Sequence, residues 1–160
     1  MDLGRILVSQ ETGSYVIRLE GDVRVVLSAT LNDYMKTIFK SKDISKIIID
    51  MVETKGVDST TLGLLAKLAI HSNANFNIRP IVFCPDESLH ETLLVMGLDD
   101  VFEIISKRKS ELENLIELES KTSHDAAIKQ HVLEAHQLLS SINKKNKDEF
   151  LDLIAALERE

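Results

Sequence analysis

The sequence contains no tryptophan, and its aromatic residues together make up only 4% of the chain. This scarcity argues against the stacked aromatic platforms with which many proteins bind single-stranded nucleic acid. The net charge of -7 argues in the same direction, because nucleic-acid binding relies on a basic surface. We therefore expect no nucleic acid among the partners of this protein.

Disulfides, membrane spans and secretory signals are missing as well. A single cysteine, Cys84, excludes an internal disulfide framework and favours a reducing compartment. No apolar run approaches the roughly 20 residues of a membrane helix, so we expect no membrane association. The amino terminus lacks the basic and then apolar layout of a secretory signal. Together these features predict a cytoplasmic protein.

Residues that would serve catalysis or bind a cofactor are sparse. The six glycines are scattered and form no phosphate-binding loop, and the five histidines are not spaced as metal ligands. Asp50 and Glu53, near the end of a predicted strand, have no second acid beside them and are interpreted as surface residues. Cys84 is interpreted as a small core residue. We expect no cofactor, no metal and no enzymatic activity.

Strand patterns dominate the start of the chain and recur between helices. Two β-branched runs, 5–9 and 14–20, predict a hairpin whose second strand is closed by a turn at Gly21 and Asp22. The runs 46–52 and 80–84, in which apolar residues do not alternate with polar ones, predict strands that are covered on both faces. Residues 101–105 predict a last short strand.

Helical spacing of apolar residues fills the intervals between these strands. It predicts one helix capped by Ser28, a second capped by Asp58 and ending around 71–75, and a third that begins at 85–88. A fourth helix is predicted around Leu112, Leu115 and Ile116. This order predicts an α/β sandwich, with one mixed sheet, parallel pairing after the hairpin and helices largely on one face.

A polar break at 119–123 divides the chain into a domain of residues 1–119 and an extension of residues 120–160. Apolar residues at helix spacing predict two helices in the extension, separated by a basic turn at 143–147. A helical hairpin of this length cannot bury its apolar stripe alone. It must therefore pack on the domain, on a copy of itself in a homodimer, or on another protein.

Ser59 is the residue with the most informative surroundings. Together with Asp58 it suits the N-cap of the second helix, and this structural interpretation is the simplest one. Catalysis by Ser59 would need a nearby base, and the local sequence contains neither a histidine nor a nucleophile-elbow motif. A third interpretation is phosphorylation, because free N–H groups and the helix dipole stabilise an anion at a helix start. A phosphate there would add about −1.5 to −2 charges to an outer surface and change binding without changing the fold.

Four segments in the correct order resemble one family. Residues 58–63, Asp-Ser-Thr-Thr-Leu-Gly, resemble the phosphoacceptor motif of the STAS domain. Residues 21–23 resemble the turn of that family after its second strand, 46–50 its central strand, and 93–102 its late helix-to-strand segment. The resemblance covers about residues 3–117. It is to anti-sigma factor antagonists, of the longer proteobacterial type that carries a C-terminal helical extension.

The resemblance implies a partner-switching function. The unphosphorylated antagonist would bind an anti-sigma factor or a Ser/Thr switch kinase, and thereby control sigma-dependent transcription, in motility or biofilm formation for the longer members. Phosphorylation of Ser59 would break the complex, and a PP2C-type phosphatase would restore it. Thr60 is a minor second phosphoacceptor candidate. The partner-binding surface implied by the family comprises Asp22, Arg24, Asp58, Thr60, Thr61 and Leu62.

Two residues depart from the family pattern. Arg24 stands where many members carry an acid, and Thr61 replaces a small residue. The alternative function is that of a STAS accessory module in a membrane transporter system. Such modules often lack a usable phosphoacceptor, so the intact Asp58-Ser59 pair favours signalling.

Overall fold

The protein begins with the predicted hairpin. In a computed structural model, which describes residues 3–106, 115–121 and 124–159, strands β1 (Arg5–Glu11) and β2 (Ser14–Val23) pair antiparallel. Gly13 makes the turn between them with φ of 79°, in the left-handed region that glycine adopts without a steric penalty. The predicted hairpin is confirmed. The predicted end of the second strand is wrong, because β2 continues through Gly21 and Asp22 to Val23.

The sheet extends outwards from this hairpin. Its further strands are β3 (Lys46–Asp50), β4 (Thr54–Val57), β5 (Ile81–Phe83), β6 (Glu103–Ile105) and β7 (Ile116–Glu117). Their order is β6-β5-β3-β2-β1-β7, while β4 pairs with the end of β2. Pairing is parallel from β2 through β3 and β5 to β6, as the alternation of strands and helices predicted. The α/β class with a mixed sheet is thus confirmed.

Helices α1 (Ser28–Lys40), α2 (Ser59–Phe76) and α3 (Glu87–Val95) connect these strands. Apolar residues of α1 and α2 join one face of the sheet in the main core, and the largest buried side chains there include Ile17, Leu31, Met35, Ile49 and Leu62. Val16, Ile48 and Phe83 form a smaller cluster of their own. The burial of successive strand residues explains why three isoleucines follow one another in β3.

The extension consists of α4 (Asp125–Ile142) and α5 (Lys144–Arg159). Helix α4 lies along α2, and α5 packs on α4. Leu139 and Phe150 are buried in the main core cluster, so the extension packs on the domain, one of the three arrangements expected. None of the helices in the described ranges is both long and apolar enough to cross a membrane.

Several local predictions are wrong. The expected basic turn at 143–147 shrinks to Asn143, because α5 already begins at Lys144. Ser28 does not cap α1, since a 3₁₀ turn at Val25–Leu27 leads directly into that helix. Ile116 lies in strand β7, not in a helix, whereas Leu112 lies outside the described residues.

Two further predictions concern single positions. Helix α2 runs to Phe76, slightly beyond its predicted end, and Asn77 takes the left-handed conformation expected of an asparagine there. Asp50 is fully buried instead of lying on the surface, and its carboxylate accepts a hydrogen bond from the Val52 N–H at 3.0 Å. Glu53 is 58% exposed, as expected.

Candidate functional site

Asp58 organises the start of α2. Its Oδ1 accepts hydrogen bonds from the backbone N–H of Thr61 at 2.9 Å and from the Thr61 hydroxyl at 2.8 Å. Its Oδ2 accepts another from the N–H of Val25 at 2.7 Å. The predicted N-cap is thus Asp58, and the same carboxylate ties the helix to the loop that follows β2. Ser59 is the first residue of the helix, in the turn whose N–H groups have no partner within the helix.

Asp22, near the end of β2, and Arg24, in the loop that Asp58 holds, lie beside this helix start. The Arg24 guanidinium contacts the Asp22 carboxylate at 2.6 Å, and this interaction raises the pKa of Arg24. The two side chains are 38% and 56% exposed. Val26, two residues further on, is 66% exposed. This loop therefore presents charged and apolar groups to solvent next to the start of α2.

Three of the expected partner-binding residues are buried. Thr60, Thr61 and Leu62 are 4%, 2% and 1% exposed. The Thr61 hydroxyl lies 3.1 Å from the carbonyl of Val23, and Leu62 belongs to the main core. In this arrangement Thr60, Thr61 and Leu62 are therefore not exposed to a partner, and their contact with a partner stays a prediction. Asp22, Arg24 and Asp58 remain nearer to the surface.

A histidine from the extension contacts Ser59. The Ser59 Oγ lies 2.7 Å from the Nε2 of His136, a residue of α4 that is 3% exposed. The other ring nitrogen, Nδ1, lies 2.6 Å from the carbonyl of Val132, which can only accept. In the neutral tautomer that this fixes, Nε2 accepts the hydrogen bond that the Ser59 hydroxyl donates. Sequence reasoning missed this contact because 77 positions separate the two residues.

Helices α2 and α4 approach closely one turn beyond Ser59. A Cβ built on Gly63 would lie 2.4 Å from the carbonyl oxygen of Ala135 and 2.5 Å from its Cβ. Only glycine permits this separation, and a glycine inside a predicted helix was the signal that could have revealed it. On the following turn of α2, the Nζ of Lys67 lies 2.7 Å from the Oε1 of Glu134 in α4.

Further contacts hold the extension in place. The Ser28 hydroxyl lies 3.1 Å from the Nδ1 of His131, whose pKa is lowered mainly by burial. The His136 ring meets the ring of Phe150 from α5 edge to face, with centroids 4.8 Å apart. Before α4, the N–H of Lys121 donates to the Thr30 hydroxyl at 2.9 Å. The start of α2 is consequently covered in part by α4, with Asp58 and Ser59 half-buried, whereas the sequence predicted an outer surface.

The Ser59–His136 pair has the distance of a nucleophile and its base. The ring of His136 is oriented by a backbone carbonyl of its own helix and is buried between α2 and α4, whereas Ser59 is half-buried. Among the residues that the structure describes, no group of three or more His, Cys, Asp or Glu side chains could hold a metal ion. Cys84 is fully buried, as expected of a core residue, and burial raises the pKa of its thiol to about 11.

Comparison with known proteins places this arrangement in a family. The model of the STAS domain family matches residues 5–111. The chain belongs to the STAS domain family. No curated protein matches the sequence significantly. The matched segment includes the whole start of α2 and ends before α4 and α5.

Two solved structures show the same STAS fold at low sequence identity. The anti-sigma factor antagonist SpoIIAA in its unphosphorylated form is 16% identical, with a TM-score of 0.54, and the match covers 66% of this chain and 90% of that one. The Bacillus cell fate determinant SpoIIAA in the phosphorylated form is 17% identical, with a TM-score of 0.53, covering 64% and 92%. Their likeness to this chain confirms its fold.

Proposed function

We propose that this STAS protein is an anti-sigma factor antagonist that works by partner switching and not as an enzyme. In its unphosphorylated form it binds an anti-sigma factor or a switch kinase in the cytoplasm. Phosphorylation of Ser59 releases that partner, and a PP2C-type phosphatase reverses the modification. The protein thereby controls sigma-dependent transcription, with motility and biofilm genes as its expected targets.

The observation that carries this proposal is the position of Ser59 at the first residue of α2, directly after the Asp58 cap. An anion at this position is stabilised by the helix dipole and by unpaired N–H groups. The STAS family match and the likeness to SpoIIAA, for which phosphorylated and unphosphorylated forms are described, support the same role. A phosphate can therefore be added without unfolding α2.

The loop beside Ser59 is the best candidate for the partner surface. Its Arg24 forms an exposed ion pair with Asp22 at the end of β2, and Val26 adds an exposed apolar side chain. A phosphate on Ser59 would stand next to the Asp58 carboxylate, and the two negative charges together would repel an acidic partner surface. Against an apolar partner surface, the phosphate would have to lose its hydration, which costs free energy. The expected homodimer through the C-terminal helices would have to use α5, since α4 is already packed on α2.

The test begins with incubation of the protein with candidate Ser/Thr kinases and mapping of the phosphate by mass spectrometry. We expect Ser59 to be modified, and Thr60→Ala to leave this modification unchanged. Binding of candidate anti-sigma factors is then compared between Ser59→Ala and Ser59→Asp. We expect Ser59→Ala to bind and Ser59→Asp to bind weakly. Equal binding by both variants and the wild type would refute the switch.

A further inference from the structure

Helix α4 partly covers Ser59, the residue that the proposed function needs to be accessible. The Ser59 hydroxyl is in direct contact with His136, and the surrounding α4 residues Glu134 and Ala135 are packed on α2. We propose that α4 is a lid whose docking on α2 and the phosphorylation of Ser59 exclude each other. This inference rests on the proposed function, because it concerns the regulation of the same serine.

The first argument is steric. The 2.7 Å between Ser59 Oγ and His136 Nε2 is the length of one direct hydrogen bond. A phosphoryl group with three further oxygens cannot be inserted there. Because the backbone of α4 at Ala135 already lies against Gly63, α4 cannot shift closer to α2 there, and space for the phosphate can come only from movement of α4 away from α2. The ring of His136 is held in turn by Phe150. The phosphate therefore requires α4 to leave α2.

The second argument concerns hydrogen bonding. Because Nδ1 of His136 donates to the Val132 carbonyl, Nε2 offers a lone pair to Ser59. The present hydroxyl donates to that lone pair, but the oxygens of a phosphate are acceptors. With a neutral His136, two acceptors would face each other beside a ring that is only 3% exposed. Because the phosphate stabilises the start of α2, its unfavourable contacts weaken the docking of α4 and not helix α2 itself.

The docked α4 also affects the kinase, because its His136 occupies the position next to the Ser59 hydroxyl that a kinase must reach. We therefore expect the docked α4 to lower the rate at which a kinase modifies Ser59. A partner that contacts the start of α2 meets the same obstacle. The extension thus sets how much of the protein is available to kinase and partner.

A phosphoserine encoded at position 59 of the full chain tests this without a kinase. Hydrogen exchange of the amides in 125–142 reports docking, as does zero-length carbodiimide crosslinking of Lys67 to Glu134. We expect exchange in α4 to be faster by about 5- to 150-fold, the crosslink to be lost, and β2 and β3 to be unchanged. Phosphoserine at Ser88, which lies exposed in the first turn of α3, is the matched control and should leave α4 unchanged.

Two results would overturn the lid. Unchanged protection of α4 with an intact crosslink would show that the phosphate is accommodated beneath it, for instance by a protonated His136. Uniform loss of protection across the sheet would show that the phosphate unfolds the domain. If the encoded phosphoserine releases α4 but no kinase modifies Ser59, the proposed function is refuted and the inference that α4 is a lid stands.

A second variant opens the lid without altering Ser59. Ala135→Leu places a larger side chain in the fully buried contact with Gly63, whereas Ala127→Leu makes the same change at an exposed position of α4. We expect only Ala135→Leu to increase exchange in α4 and, with any kinase found to modify Ser59, to increase the phosphorylation rate about tenfold or more. Equal phosphorylation rates despite faster exchange would show that α4 does not shield the serine.

Discussion

Gly63→Ala should separate the stability of the domain from the docking of the extension. The new Cβ would lie 2.4 Å, 2.5 Å and 2.6 Å from the O, Cβ and C atoms of Ala135. Two of these three atoms belong to the backbone of α4, so no side-chain rotation relieves the contact. Overpacking of this kind costs about 1–3 kcal/mol, which here opposes only the docking of α4.

The same substitution favours α2 itself. Replacing a glycine inside a helix by alanine contributes about 1 kcal/mol of helix propensity. We therefore expect α2 and the sheet to keep their protection, while the amides of α4 exchange about 5- to 150-fold faster, the equilibrium equivalent of that docking cost. Hydrogen exchange followed by mass spectrometry resolves the two regions within a single sample.

Ala135→Gly provides the rescue. In the double variant the clash with the Ala135 Cβ disappears, but the clash with its carbonyl oxygen stays. Rescue of α4 protection should consequently be partial, and Ala135→Gly alone should cost about 1 kcal/mol through helix propensity. Full α4 protection in Gly63→Ala would refute the close packing of the two helices.

Three further predictions concern the contacts around this interface. Burial lowers the pKa of His131 below 6.5; the charge of Glu134 opposes this shift, and those of Lys67 and Lys36 add to it. Because the unfolded chain binds the proton more readily, the protein loses stability as the pH falls from 6.5 through the folded pKa. In thermal melting between about pH 7.5 and 5.5, His131→Gln should therefore lose less stability than the wild type. A double-mutant cycle of Ser59→Ala and His136→Phe should give a coupling of about 0.5–1.5 kcal/mol in chemical unfolding, and additive effects would exclude the hydrogen bond. Asn146→Ala removes hydrogen bonds from the buried Asn146 side chain to the Met96 and Leu139 carbonyls. Urea unfolding should show that the free energy of unfolding falls by about 1–3 kcal/mol. The control Lys145→Ala, at an exposed position, should stay within about 0.5 kcal/mol of the wild type.

The strands that built the core were predictable because their pattern was strong. The β-branched runs around Ile17 and Ile48 could be buried only in a sheet, and the Asp58 cap followed from local hydrogen bonding alone. Strand β4 (Thr54–Val57) was missed because its sequence, Thr-Lys-Gly-Val, has little β signal. Strand β4 pairs in parallel with the end of β2, where the register of β2 shifts between Gly21 and Asp22.

The covering of Ser59 could not be predicted because nothing near it in the sequence specifies it. It depends on where α4 docks, and an amphipathic stripe does not reveal its own partner. Gly63 in α2 and the small Ala135 in α4 permit the close approach of the two helices. Only the folded chain shows that these two residues meet and that His136 thereby reaches Ser59.

One surface at the start of α2 has three competing occupants: α4, a phosphate and a partner protein. The Ser59 hydroxyl takes part in the first contact and is the acceptor for the second, so Ser59→Ala cannot act as a simple copy of the unphosphorylated protein. The variant prevents phosphorylation, but it also leaves His136 Nε2 buried without a donor and thereby loosens α4. If α4 is a lid, Ser59→Ala binds a partner more strongly for two reasons: it cannot be phosphorylated, and its α4 is loosened. His136→Phe separates them, because it loosens α4 while Ser59 can still be phosphorylated.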